Sequence, residues 1–505
     1  MIRLKFLGCI ALLLMAASCS NTNENLKKII PVDATGVVSI DVPAILESAD
    51  MFEGSDIVIP AALKSIVDEN DDAPLCKFIT DLPIMGYDTD GKIFVFFTAK
   101  TFASVLLVPL DDEQMAMKAL ERRTGNSFNE VAGLKCIYNE ENFYAVHDNV
   151  LFYGIVSRPV DAVKASKAAG AMLSRNATNI LENSEANACL DKDDEINVYM
   201  KLDGLRALMA KNKTYQEIAQ KMPLIEIFTQ SDIKFITCDV NIDDKNVNMT
   251  AKFNADANSD YAQLLDMTLS KPSPECLKAI PNSMDYIITM SVKGGKFVKL
   301  PQIQQLIQTF TKLPYLGSLN IASILSNVDG PFTVGLARDP NLEGVWNAVL
   351  AARSTNPQVI VNGISSFATA MGQAPEIYDN EYIYQYENKM VKMGTVGNVV
   401  YLKMLNYDQN EGNVYDNPAI RDFFTKSPMG LWVQIHDNSV GGNFNFGFSD
   451  KFNATGAYIP REGDSNAAMA LLQVLCSVKP PKPFDDAGVT DMSFLGPNDH
   501  IQPVN

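Results

Sequence analysis

The chain is short of the residues that catalysis most often uses. Among its 505 residues are three histidines, His147, His436 and His500, far apart in sequence. A histidine-based zinc site needs paired spacing such as HExxH, which does not occur. A Ser-His-Asp triad is assembled in space and is open to any sequence, but no GxSxG elbow nominates its serine. A phosphate-cradling glycine loop is missing as well. Only two tryptophans are present, Trp346 and Trp432, which argues against an aromatic platform for sugars. Basic residues are outnumbered, 42 Lys and Arg against 60 Asp and Glu, for a net charge of −18. DNA binding relies on clustered cations that release counterions, so nucleic acid is set aside as a partner. The acidic balance favours solubility without naming a partner. Beyond the N-terminus no run of 18 apolar residues occurs, so no later segment reads as a membrane-spanning helix.

What is present begins at the N-terminus. Arg3 and Lys5 precede an apolar run from Phe6 to Ala17, a length typical of signal peptides and too short to span a bilayer. Ala16-Ala17-Ser18 then supplies small side chains, and Cys19 follows directly. This stretch, LLLMAASC, resembles the lipobox of bacterial lipoproteins, with Ala16 where leucine is usual. The resemblance implies cleavage after residue 18 and acylation of Cys19, hence a membrane partner reached through a lipid anchor. Residues 20–29 are polar and read as a short tether.

With Cys9 in the signal and Cys19 at the anchor, six cysteines remain: 76, 136, 189, 238, 276 and 476. An envelope compartment permits disulfides, but the spacings match no compact framework and assign no bridge. Cys238 alternates with Ile236, Val240 and Ile242, the pattern of a thiol on a buried strand face.

The chain also repeats itself. IPVDATGVVSIDV from Ile30 matches IPNSMDYIITMSV from Ile280, each an Ile-Pro start feeding a strand of period two. YDTDGKIFVFF (87–97) matches SNVDGPFTVGL (326–336). SVLLVPLDDEQMAMKALERRTG matches NAVLAARSTNPQVIVNGISSFATAMG, a strand followed by an amphipathic helix ending at Gly125 or Gly372. CIYNEENF pairs with EIYDNEYI, and VHDNVLFYG with TVGNVVYLK, both with tight turns. The later pieces are EINVYMKLDGL, IKFITCDVNID and NVNMTAKFNA before the helix DYAQLLDMTL, against MGLWVQIHD and GGNFNFGFSD before SNAAMALLQVL. Strands joined by short turns form antiparallel sheet. The expected fold is therefore α+β: two tandem homologous lobes of mainly antiparallel sheet with helices packed on one face. The expected organisation is signal peptide 1–18, lipidated cysteine and tether 19–29, lobes 30–275 and 276–478, and a Pro-rich tail 479–505.

The opening Ile-Pro-x-Asp-Ala and Val-Val-Ser-Ile-Asp after a lipobox resembles a lipoprotein family of Bacteroidetes known only as a domain of unknown function. That resemblance implies an outer-membrane lipoprotein over nearly the whole mature chain. It brings no activity, cofactor or catalytic residue. Surface-exported lipoproteins of that phylum often carry an acidic cluster after the cysteine. Only Glu24 stands in residues 20–25, which favours a periplasm-facing anchor.

Other local patterns have plain readings. Ser231-Asp232-Ile233-Lys234 enters a strand, where the lysine projects away from the serine. Asp88-Thr89-Asp90-Gly91 starts like a calcium loop but runs straight into a strand. Asp191-Lys192-Asp193-Asp194-Glu195 reads as a solvated charge run, with cation binding as the sharper alternative. Tyr382, Tyr384 and Tyr386 share one strand face, either as core or as a ligand platform. The leading expectation is a non-catalytic envelope protein, without cofactor or metal, that binds a protein or envelope component. A surface glycan-capture component is the alternative, and a hydrolase with a spatially assembled site stands behind it.

Overall fold

A computed structural model describes residues 22–477 apart from 55, 71–73, 99, 140, 159, 210–231, 312–319, 340–344, 371, 379–380, 387–388, 406–411, 437–440 and 462–465. The signal segment, Cys19, Ser231, His500 and the Pro-rich tail lie outside the described residues. One antiparallel sheet of twenty strands organises the molecule. Its first ten strands are β1 (Gly36–Ile40), β2 (Ile93–Phe97), β3 (Phe102–Pro109), β4 (Asn129–Val131), β5 (Leu134–Tyr138), β6 (Asn142–His147), β7 (Val150–Val156), β8 (Ile196–Lys201), β9 (Phe235–Ile242) and β10 (Val247–Asn254). The second ten are β11 (Tyr286–Lys293), β12 (Val328–Arg338), β13 (Trp346–Ser354), β14 (Glu376–Tyr378), β15 (Glu381–Tyr386), β16 (Lys389–Val396), β17 (Val399–Leu405), β18 (Met429–His436), β19 (Gly441–Phe448) and β20 (Asn453–Pro460).

The first half runs 4-5-6-7-3-2-1-8-9-10 across the sheet. The second half runs 14-15-16-17-13-12-11-18-19-20, the same order shifted by ten strands. Registers agree as well as order. Val38 sits between Val198 and Val95, and Ile288 sits between Leu431 and Val334. Stepped strand by strand to the junction, the correspondence carries Thr250 of β10 onto Thr455 of β20. Those two residues are cross-strand partners. The two runs of strands therefore meet at equivalent positions of the repeated order.

The sequence reading missed β20, the strand that makes this junction. NATGAYIP holds a glycine, two small alanines and a terminal proline, a poor strand signal in isolation. It is held by ladders on both sides, to β10 and β19. The match of CIYNEENF to EIYDNEYI is also corrected. Ladder registers make β5 the counterpart of β15, so Cys136 corresponds to Glu381, not to Glu376.

Helices cover both faces of the sheet, not one as expected. On one face of the first half, helices Ala162–Leu173 and Ser184–Leu190 pack with residues 22–30 over Val37, Phe94, Phe96, Phe143 and Phe152. On the other, helices Ala61–Glu69, Pro74–Asp81 and Glu113–Thr124 pack over Ile93, Val108 and Leu151. The cause is visible in β2, β3 and β7, whose runs IFVFF, VLLVP and VLFYGIV are apolar on successive residues. Burying both sides of such strands requires cover on both. Beneath helix Ala162–Leu173 the rings of Phe102, Phe143 and Phe152 meet with centroids 5.2 to 6.1 Å apart, mainly in tilted and edge-on contacts that aromatic quadrupoles favour.

The last helix of each half packs on its own half and also reaches across the junction. Helix Ala467–Ser477 follows β20 but packs on helices Val42–Ser48, Ala61–Glu69 and Pro74–Asp81 of the first half. Helix Asp260–Thr268 follows β10 and packs on the short helix Gly294–Phe297 and on β11 of the second.

The expected tether is not one where it is described. Residues 22–27 are helical, and Leu26, Ile29 and Ile30 are buried in the first-half core. Leu26 lies in the helix, and Ile29 and Ile30 lie in the turn that follows it, an apolar set masked in the sequence by the polar residues around it.

Candidate functional site

Tyr384 is only 6% exposed, and it packs with Tyr382 against Ile360, Val361 and Met393. These two rings face the core beneath helix Pro357–Ala370, and the side chain of Tyr386 lies outside the described residues. The two rings therefore form packing surface and not a platform. His147 is exposed at the end of β6, its Nε2 3.8 Å from the Asp148 carboxylate. Asp88 forms a turn, accepting from the backbone N–H of Asp90 at 2.9 Å. Among the described residues no group of three His, Cys, Asp or Glu side chains is placed to hold a metal ion.

The structure does concentrate charge at one end of the first half. There the segment 22–27, the start of β2 and the loop 191–195 border a cleft of about 550 Å³, lined among others by Asn23, Glu24, Lys27, Lys92, Asp191 and Asp193. Three lysines converge on this loop. Lys27, 4% exposed, donates to Asn187 Oδ1 at 2.9 Å and pairs with Asp191. Lys92 donates to the carbonyl of Lys192 at 2.8 Å and lies 3.6 Å from Asp41. Lys192 reaches Asp239 on β9. Burial pulls the Lys192 ammonium down, but the Asp239 carboxylate outweighs it and holds the pKa above the ordinary lysine range. The run Asp191–Glu195 is thus an ordered loop, exposed to solvent at Asp191 and Asp193 and buried at Glu195. Asn197 Nδ2 caps the carbonyls of Lys192 and Asp194. The buried Glu195 carboxylate accepts from the Ile242 N–H at 2.9 Å. The positive charge that a bound cation would supply to the run is supplied here by the chain's own lysines.

Behind the loop lies a polar row. Ser39, Asn197 and Asp239 are consecutive cross-strand neighbours on one sheet face. Ser39 Oγ, Asn197 Oδ1 and Asp239 Oδ1 are buried without a hydrogen-bond partner among the described residues. Buried oxygens of this kind usually find a partner, so the row can accept N–H or O–H groups. A second cleft of about 230 Å³ opens on the other side of the segment 22–27, beside Asp88, Asp111, Asp148 and Arg175. Burial, then Asp88 and Asp90, hold the Asp111 carboxyl above its usual range.

The corresponding place in the second half has none of this. Lys27 aligns with Leu277 by the sequence offset that matches Ile30 to Ile280, and Asn197 corresponds to Gly430 and Asp239 to Gly447 by the matched registers. The two glycines let the Phe423 ring lie against the sheet. A Cβ on either would meet that ring at 2.8 to 2.9 Å. The charged loop shrinks to Ser427-Pro428 between helix Pro418–Lys426 and β18. Sequence reasoning flagged the loop by its charge. It missed Lys27, Lys92, Asn197 and Asp239, because only the sheet registers bring them together.

No protein-family model and no curated protein matches the chain. Among solved structures, it is similar to crystal form III of TP0453 with a TM-score of 0.29 and 12% identity over 48% of this chain and 84% of that one. Crystal form I of TP0453 gives 0.27 and 13% over 46% and 80%. A DNA polymerase sliding clamp from Pseudomonas aeruginosa gives 0.10 and 10% over 85% and 99%. Likeness at these scores carries no argument about fold or function. Among the described residues, no helix is long and apolar enough to cross a membrane.

Proposed function

We propose that the chain is a lipid-anchored protein of the bacterial cell envelope, built of two homologous lobes, that acts by binding an envelope component and not by catalysis. The observation that carries this reading is the seating of residues 22–30 in the first-half core, directly after a segment that resembles a lipoprotein signal. Only Ser20 and Asn21 separate Cys19 from Thr22. An acyl anchor on Cys19 therefore puts the charged cleft at the membrane-facing end of the first lobe. Each buried acyl CH₂ contributes about 0.8 kcal/mol, so several chains make such an attachment effectively permanent. The repeated strand order and the Thr250–Thr455 pairing support descent of both lobes from one ancestor. In this reading one lobe kept an apolar site while the other took up charge. The single acid in residues 20–25 favours the periplasmic face of the outer membrane.

The test is metabolic labelling with a palmitate analogue, followed by detergent-phase partition of the wild type and Cys19→Ala. The wild type takes up label and enters the detergent phase; the variant does neither. Equal behaviour of the two removes the anchor. Protease treatment of intact and lysed cells then assigns the face. Protection until lysis is expected, and digestion in intact cells would turn the reading toward surface capture of glycans.

A further inference from the structure

We propose that Cys76 and Cys476 are a modification site, a thiol pair that oxidises to a disulfide joining the last helix of the second half to the first. Cys76 lies on helix Pro74–Asp81 and Cys476 on helix Ala467–Ser477, and these helices pack directly on each other. Cys76 Sγ is 3.8 Å from the backbone carbonyl oxygen of Cys476. Both residues are buried in one apolar cluster, 0% and 1% exposed. The Cys76 thiol lies close enough to act on Cys476, which burial first, and then Cys76, push up to about 12. All six described cysteines are free, and the other four are not so placed. Cys136 lies near Ser166 and Cys276 donates to the Pro331 carbonyl. Cys189 packs on the sheet face that holds Asp239, while Cys238, next to Asp239 on β9, points to the other face.

The chemistry is thiol–disulfide exchange with a low-molecular-weight disulfide of the compartment. One cysteine thiolate attacks a sulfur of that disulfide, forms a mixed disulfide and releases one thiol, which carries away the proton. The second thiolate attacks the protein-bound sulfur, closes the Sγ–Sγ bond and releases the second thiol. The protein loses two electrons and two protons, and the reagent gains them. The raised pKa keeps Cys476 as a thiol in the packed state, and the thiolate is the reacting form. Oxidation therefore belongs to folding, before helix Ala467–Ser477 seats, or to moments when it lifts. The bond would close a loop spanning 400 positions, a constraint set largely on the unfolded chain. It needs an oxidising compartment but not a lipid anchor, so it stands or falls separately from the anchoring test.

The experiment refolds the full mature chain in oxidised and reduced glutathione, alkylates it in denaturant and maps its peptides. A peptide joining Cys76 to Cys476 is expected, with alkylation of those two residues down by roughly tenfold and that of the other four unchanged. The reduced protein should melt several degrees lower, a gap that Cys476→Ser abolishes. Full alkylation of both residues, or a bridge from either to a different cysteine, overturns the proposal. The wild-type peptide map decides even where the variant fails to fold.

Discussion

Helix Ala162–Leu173 lies across β4, β5 and β6 of the first half, whereas the second half has only residues 406–413 in which to make the same crossing. The sheet surface has changed to match. Beneath the helix stand Cys136, Phe143 and Phe152. Their counterparts are Glu381, Lys392 and Tyr401, and the Tyr401 hydroxyl donates to the Glu381 carboxylate. The trade runs the other way at the opposite end. There the first half carries Lys27, Asn197 and Asp239, and the second carries Leu277, Gly430 and Gly447 under Phe423. One strand order thus tolerates apolar or polar filling at the same position, provided cover and side chains change together.

The most severe way to break this comparison is to place the second half's residue under the first half's helix. Phe143→Lys should cost about 4 kcal/mol in urea unfolding, because it removes a fully buried ring and strands a charge. Lys392→Phe should cost far less. Similar costs for both would mean that the helix is not what separates the halves.

Alkali should distinguish the last helices of the two halves. Cys476 is raised from 9.0 to about 12, and Tyr261 on helix Asp260–Thr268 from 10.0 to about 12 by burial and then Asp450. Both folded values lie above the unfolded ones. Their stabilisation is full below the unfolded value and is lost as pH rises toward the folded one. In the reduced protein the thiol contact should therefore weaken from about pH 9 and the tyrosine contact only from about pH 10, each by about tenfold in the folding equilibrium per pH unit. Hydrogen exchange at the two helices reads this, and Cys476→Ala should remove the earlier phase.

A smaller effect is expected at the charged cleft. Asp191→Ala leaves Lys27 with Asn187 alone and should cost about 1–2 kcal/mol, limited by solvent screening at Asp191. Adding Lys27→Leu, the second half's choice, should recover most of that loss. If the double variant is no better than the single one, Lys27 and Asp191 are not an isolated pair.

The smallest effect should be equal in both halves. Gly125 and Gly372 have φ of 67° and 78°, with open space where a Cβ would go. Alanine at either should cost about 1 kcal/mol, purely from the left-handed backbone. Unequal costs would count against their equivalence.

Much of the architecture could be read in sequence because it is written in local chemistry. Period-two runs such as VVSI and IITM fold into β1 and β11. Asp112 caps its helix through the Met115 N–H at 3.0 Å, as the Asp111-Asp112 cluster predicts. The repeated strand order left a trace in sequence at the matching turns, such as Asp148-Asn149 and Gly397-Asn398. The candidate site was only half legible. The charged loop 191–195 announced itself, but its partners lie on strands distant in sequence.

The sequence by itself determined the antiparallel α+β character, the repeated order of elements and the resemblance to a lipoprotein signal, since each depends on neighbours within a few residues. Only the tertiary structure decided that helices cover both faces and that residues 22–30 dock into the core. It alone placed β20 at the join, carried the last helices across the junction, and set Cys76 against Cys476 and Lys192 against Asp239. Those outcomes depend on strand register and helix packing between segments far apart in the chain, where energy comes from shared burial and no local pattern carries the signal.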